Sequence, residues 1–127
     1  MESRSDRVWQ AAAGLSGCVA VIAGAVAAHA VADDRLAKLA ETASYYQLIH
    51  AAVLLWLAAG QGVWLRGARW LFVAGTLLFC GTLYLKAFGL SEAATALAPT
   101  GGTSFILGWL LIAVHGCVRA MSAGRRD

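Results

Sequence analysis

The sequence predicts an all-α, integral membrane four-transmembrane-helix bundle with a short amphipathic segment between helices 1 and 2. Three observations predict it. Of the 127 residues, 60% are apolar and 13% charged, whereas an ordinary soluble domain is roughly 45–50% apolar and about 25% charged. Uncharged windows run from Val8 to Ala32 (25 residues), Thr42 to Leu65 (24), Trp70 to Leu85 (16) and Ala93 to Val118 (26). A membrane-crossing helix needs about 20 mostly apolar residues to cover a hydrocarbon core roughly 30 Å thick. None of the windows alternates polar and apolar residues as a transmembrane strand does, so each backbone must satisfy its own hydrogen bonds as helix. The mean hydropathy of +0.67 agrees. This composition excludes a disordered chain, a collagen-like chain, a disulfide-framed secreted domain and an ordinary soluble enzyme.

The first span covers about residues 8–31. Ala13, Gly17, Ala20, Gly24 and Ala28 recur three and four apart and make one smooth stripe for close helix packing. Ala28-His29-Ala30 after a basic start also fits a signal-peptide cleavage site, but the apolar stretch exceeds the usual length, so a retained span is expected. From Asp33 to Tyr45, a capping aspartate precedes Leu36, Leu39, Ala40 and Ala43 on one side and Arg35, Lys38 and Glu41 on the other. The second span covers 46–65. Arg66-Gly67-Ala68-Arg69 reads as a tight connection flanked at headgroup level by Trp64 and Trp70. The third span covers 70–89 and carries Gly75 and Gly81. Pro99-Thr100-Gly101-Gly102 reads as the last connection, with Pro99 ending what precedes it and the glycines allowing re-entry. The fourth span covers 104–120, and residues 1–127 form one transmembrane domain.

The net charge is +3. No basic face with interleaved aromatics supports nucleic-acid binding, so the charge is read as topology. With the N-terminus cytoplasmic, that side holds Arg4, Arg7, Arg66, Arg69, Arg119, Arg125 and Arg126, and the other side Arg35, Lys38 and Lys86. The positive-inside rule then predicts both termini inside. Cys18, Cys80 and Cys117 lack metal-ligand spacing and read as small apolar filler.

Polar groups within spans are costly and tend to mark function. By helix direction and rise, His29, Gln47, His50, Tyr84, Lys86 and the Thr100-Gly101-Gly102 turn gather near the outer end, as a ligand-binding or structural polar cluster. Gln61 and His115 form an inner polar pair, read as an interhelical hydrogen bond. Three chemistries compete with a hydrogen-bonded clasp at the outer cluster. They are bis-histidine haem ligation by His29 and His50, a divalent metal on His29, Asp33 and His50, and a polar pocket or proton path using Lys86. No catalytic set, resident cofactor or metal is expected. Ser44 and Ser104 have no histidine–carboxylate partner arrangement, and Asp33-Asp34 are adjacent and solvated.

Four patches carry a resemblance. They are Gly24-Ala25-Val26-Ala27-Ala28-His29-Ala30, Tyr46-Gln47-Leu48-Ile49-His50-Ala51, the run from Gly75 to Leu85, and the run from Pro99 to Trp109. In this order and spacing they resemble the YgdD-like or YwdK-like family of small bacterial inner-membrane proteins, a broad group that includes small mitochondrial membrane proteins. The chain differs at Ala27, where the family more often has a second Gly, and at Pro99-Thr100, where the family more often has Thr before Pro. The resemblance implies four helices and a multi-pass inner-membrane location, and it brings no reaction or ligand. The reading is a non-enzymatic accessory or self-associating membrane protein, in the lipid bilayer and within a larger complex or homo-oligomer. The alternative is small-molecule, lipid or ion binding or transport through the pocket around His29, His50 and Lys86. A water-filled cavity reaching those residues would favour the alternative, and a closed clasp the former.

Overall fold

The computed structural model describes residues 3–125. Helix α1 is Arg4–Ala30 and α2 is Asp34–Ala58. Rods α3, Val63–Ala87, and α4, Ala93–Ala123, complete the bundle. Rod α3 contains one π-helical turn, Thr76–Cys80, and α4 opens with a 3-10 turn, Ala93–Leu97. By length and composition α1, α3 and α4 can each cross a membrane, while α2 is less apolar.

Local chemistry sets the ends of the rods. The Ser3 hydroxyl accepts from the Asp6 N–H at 3.1 Å and the Asp6 carboxylate accepts from the Ser3 N–H at 2.8 Å, a reciprocal cap at the start of α1. Asp33 Oδ1 accepts from the N–H groups of Arg35 and Leu36 at 2.9 and 3.0 Å and starts α2. Between α2 and α3 the chain turns through Gly62 at φ +116°, a conformation that favours glycine. Gly89, at φ +70°, closes α3 by donating to the Lys86 carbonyl at 3.0 Å.

Each packing interface follows from side-chain size. Ala13, Ala20 and Ala27, all buried, lay α1 antiparallel on α2. Rods α3 and α4 interlock reciprocally. A Cβ at Gly75 would lie 2.4 Å from the Phe105 ring, and one at Gly108 would lie 2.5 Å from the Phe72 ring. Each rod therefore offers a glycine hole to the other's phenylalanine. Gly101 continues the same register and meets the backbone of Leu78 and Phe79 in the π turn. The Thr82 hydroxyl donates to the Leu78 and Phe79 carbonyls at 2.7 and 3.1 Å, which supplies partners where the helical ladder is disturbed. Helix α2 lies between α1 and the α3–α4 pair.

The observed elements differ from the expected ones at three places. The amphipathic stretch after Asp33 is not a separate segment, because it forms the first turns of the continuous helix α2. Arg66-Gly67-Ala68-Arg69 is not the connection. The chain turns at 59–62, and both arginines lie in the first turns of α3. Pro99 does not end a helix and Thr100-Gly101-Gly102 is not a turn. Pro99 sits in the first α-helical turn of α4, where its missing N–H costs nothing. Arg126 and the last residues of the expected tail lie outside the described residues.

Candidate functional site

The polar side chains of α2 lie on two faces and bind two sets of neighbours. Ser44 and Gln47, one helical turn apart, face α1. The Ser44 hydroxyl donates to the Ala20 carbonyl at 2.7 Å. Gln47 Nε2 donates to the Ser16 carbonyl at 3.1 Å and lies 3.3 Å from the Ser16 hydroxyl. Gln47 Oε1 accepts from the Tyr84 hydroxyl at 2.8 Å. The carbonyl can only accept, so the amide orientation is forced. One side chain, 6% exposed, thereby ties α1, α2 and α3 together.

His50, 3% exposed, faces α3 and α4. Its ring stacks on Phe105 at 3.7 Å between centroids and meets Phe72 edge-on at 5.0 Å. Its Nδ1 lies 2.7 Å from the Tyr46 carbonyl, and its Nε2 lies 3.3 Å from the Trp109 indole nitrogen. The carbonyl accepts and the indole N–H donates, so the imidazole carries its proton on Nδ1 and uses its Nε2 lone pair for Trp109. Both ring nitrogens are thereby engaged.

The other residues expected in this cluster lie elsewhere. His29 is exposed in the last turn of α1. Its helix is paired with α2 so that Ser16 meets Gln47, which puts His29 about 24 Å along the bundle from His50 at 1.5 Å per residue. The two histidines therefore do not face one another across a haem, and Asp33 is displaced with His29. Among the described residues no group of three His, Cys, Asp or Glu side chains comes together. The cause is the start of α2. With Asp34 rather than Tyr46 as its first residue, His50 sits about four turns from that end of the helix rather than one. Lys86 lies half-buried near Asp33 and Glu92, apart from His50. Thr100 is exposed, Gly101 buried and Gly102 half-buried, all on α4. Gln61 is exposed and makes no hydrogen bond to His115, whose ring instead lies over Gly62.

Three contributors went unnoticed in the sequence. Ser16 stands next to Gly17 of the small-residue stripe of α1 and has no role in the sequence reading. Trp109 enters the sequence reading only as the end of the fourth patch. Arg69 reads as a loop charge, yet it is 5% exposed. Its guanidinium donates to the Leu57 carbonyl at 3.0 Å, to Ala58 at 3.4 Å and to Gly60, capping the end of α2 from α3. It also lies 5.8 Å from the Trp9 ring, and Trp9 packs edge-on against Trp70 at 5.2 Å. The spacing Ser44, Gln47 against Tyr46, His50 is the signal that could have separated the two faces of α2.

A groove of about 330 Å³ opens between α1 and α3, with Gln47 and Thr76 in its wall. Among the described residues the Thr76 hydroxyl is the buried side-chain group without a partner.

Long apolar helices around a hydrogen-bonded polar core, with no strand among the described residues, define a helical multi-pass membrane protein. The chain belongs to the family described as protein of unknown function (DUF423), whose profile matches residues 23–102. It is 36% identical over 107 residues to a UPF0382 membrane protein of Haemophilus influenzae, covering 78% of this chain and 85% of that one. It is 33% identical over 106 residues to a UPF0382 membrane protein of Staphylococcus epidermidis, covering 79% and 87%. It is 31% identical over 119 residues to the UPF0382 inner membrane protein YgdD of Escherichia coli, covering 88% and 90%. No solved structure matches the chain. The protein is accordingly an inner-membrane protein of this family.

Proposed function

We infer that the chain is a non-enzymatic accessory subunit with four membrane spans, acting through its outer faces on another membrane protein. The closed polar core carries this reading. Gln47, Tyr84, His50 and Trp109 bond one another or the backbone, so the bundle interior is a clasp. The faces left free are extensive. Only 17% of the most apolar stretch of α1 and 11% of that of α4 is buried, against 33% for α3. Exposed Val8, Leu15, Val19 and Ile22 on α1 and Ile106, Leu107 and Leu110 on α4 are suited to lipid or to a partner helix. A fourth span is supported by the position of α2. Its lower hydropathy comes from Ser44, Gln47 and His50, whose polar atoms are satisfied by neighbouring rods and need no water.

Native mass spectrometry after gentle extraction tests the reading. Co-purification with one reproducible partner protein, lost when Leu107 and Leu110 of α4 are both changed to Trp, is the expected result. A partner-free protein carrying one stoichiometric molecule that is lost on Thr76→Val and retained on Lys86→Gln would overturn it. That outcome would favour a ligand site in the groove beside Thr76, where a lipophilic molecule with a hydrogen-bonding group could lodge.

A further inference from the structure

The end of the bundle that carries the α1–α2 and α3–α4 connections holds a second recess, separate from the polar core. Its volume is about 400 Å³, and it is lined by Asp33, Arg35, Leu36, Leu39, Lys86 and Glu92. Two cations and two carboxylates face one space over two leucines. Lys86 is half-buried in the last turn of α3. None of the four charged side chains forms an ion pair with a described residue. Asp33 spends Oδ1 on the cap of α2 and keeps Oδ2 for other partners. Opposite charges held around one recess, yet not paired with each other, suit a ligand that carries both signs. In a bilayer spanned by these rods their ends fall at the level of lipid headgroups, and the two leucines of the recess suit the upper part of an acyl chain.

We propose that this recess binds the headgroup of a phosphatidylethanolamine-type lipid. Lys86 and Arg35 hold the phosphodiester. Asp33 Oδ2 and Glu92 accept from the primary ammonium, which has three N–H donors. A choline headgroup has the charge without the donors, and a glycerol headgroup brings no cation to two carboxylates. Free phosphate meets neither the carboxylates nor the leucines favourably. This inference is independent of the accessory-subunit reading.

The test uses the full chain in mild detergent, presented with an equimolar mixture of phosphatidylethanolamine, phosphatidylcholine and phosphatidylglycerol of identical acyl chains. Native mass spectrometry should find one phosphatidylethanolamine retained about threefold to fivefold over each of the others, the scale expected for partly exposed charge pairs. Lys86→Gln should erase the preference. Glu92→Lys, at an exposed position, should turn it toward phosphatidylglycerol, a gain that a misfolded protein cannot give. Water-soluble glycerophosphoethanolamine at the same concentration should displace little of the lipid. Equal retention of the three lipids, or a preference unchanged in both variants, would overturn the proposal. Full displacement by the soluble headgroup would overturn the membrane source of the ligand.

Discussion

Gln47 brings an amide into the interior of a membrane protein and satisfies it on two other helices. Its Nε2 serves Ser16 and its Oε1 serves Tyr84, so the bond from Tyr84 leaves an orphan acceptor when it is lost. Tyr84→Phe should lower stability by about 1 kcal/mol, the scale of interhelical hydrogen bonds in membranes. Gln47→Leu should cost somewhat more, because it also abandons Ser16 and Tyr84. The two changes share one bond, so the double variant should cost less than the sum of the single ones. Denaturant unfolding in detergent micelles, read by helical circular dichroism, measures all three. Strict additivity would show that the bond between these side chains contributes nothing. This pair was legible in the sequence as two polar groups of matching depth, whereas Ser16 was not. A serine beside a stripe of alanine and glycine is nearly as small as they are, and only the partner helix reveals its carbonyl and hydroxyl as receivers.

At the scale of elements, the α3–α4 interface depends on backbone approach, and two adjacent glycines on α4 separate that effect from helix propensity. A Cβ at Gly101 would fall 2.3 Å from the backbone nitrogen of Phe79, inside the π turn. Gly102 has only the Phe79 ring, at 3.9 Å. Gly101→Ala should therefore force the rods apart and destabilise by about 1–3 kcal/mol, the range for overpacking. Gly102→Ala should be neutral or stabilising by up to about 1 kcal/mol, since alanine is the better helix former. Thermal melting of the two purified variants against the parent measures the contrast, and equal losses would remove the close-approach argument. The sequence made Gly101 and Gly102 look alike, as the pivot of a turn. Their setting after Pro99 reads as punctuation, but proline is also a good first-turn residue, and local sequence does not distinguish the two roles. The same ambiguity misplaced the α2–α3 turn. Arg66 and Arg69 look like a charged loop, while Gly60 and Gly62 look like the end of an apolar span. Long-range contact decides: Arg69 has carbonyls to cap only because α2 ends beside it.

The orientation of the whole molecule depends on which arginines remain at the surface when the rods are packed. Charge counting treats Arg66 and Arg69 alike, but Arg66 is exposed and Arg69 is buried against the end of α2. A buried guanidinium shared among three carbonyls acts within the fold, whereas the positive-inside rule concerns charge in short loops near span ends during insertion. The two residues should therefore separate stability from topology. Arg69→Gln should lower the melting temperature, because it leaves carbonyls of α2 without their donor at about 1–3 kcal/mol, and should leave the orientation of the termini the same as in the parent. Changing Arg4, Arg7 and Arg66 together to Gln should leave the fold nearly as stable while producing a mixed or inverted orientation, since Arg35, Lys38 and Lys86 then compete from the opposite end. Compartment-sensitive reporters fused to the C-terminus, read beside melting curves of the same variants, measure both quantities. Loss of orientation from Arg69→Gln alone would mean that this charge acts before the helices pack. An unchanged orientation in the triple variant would mean that the order of helix packing, rather than surface charge, sets the direction of insertion.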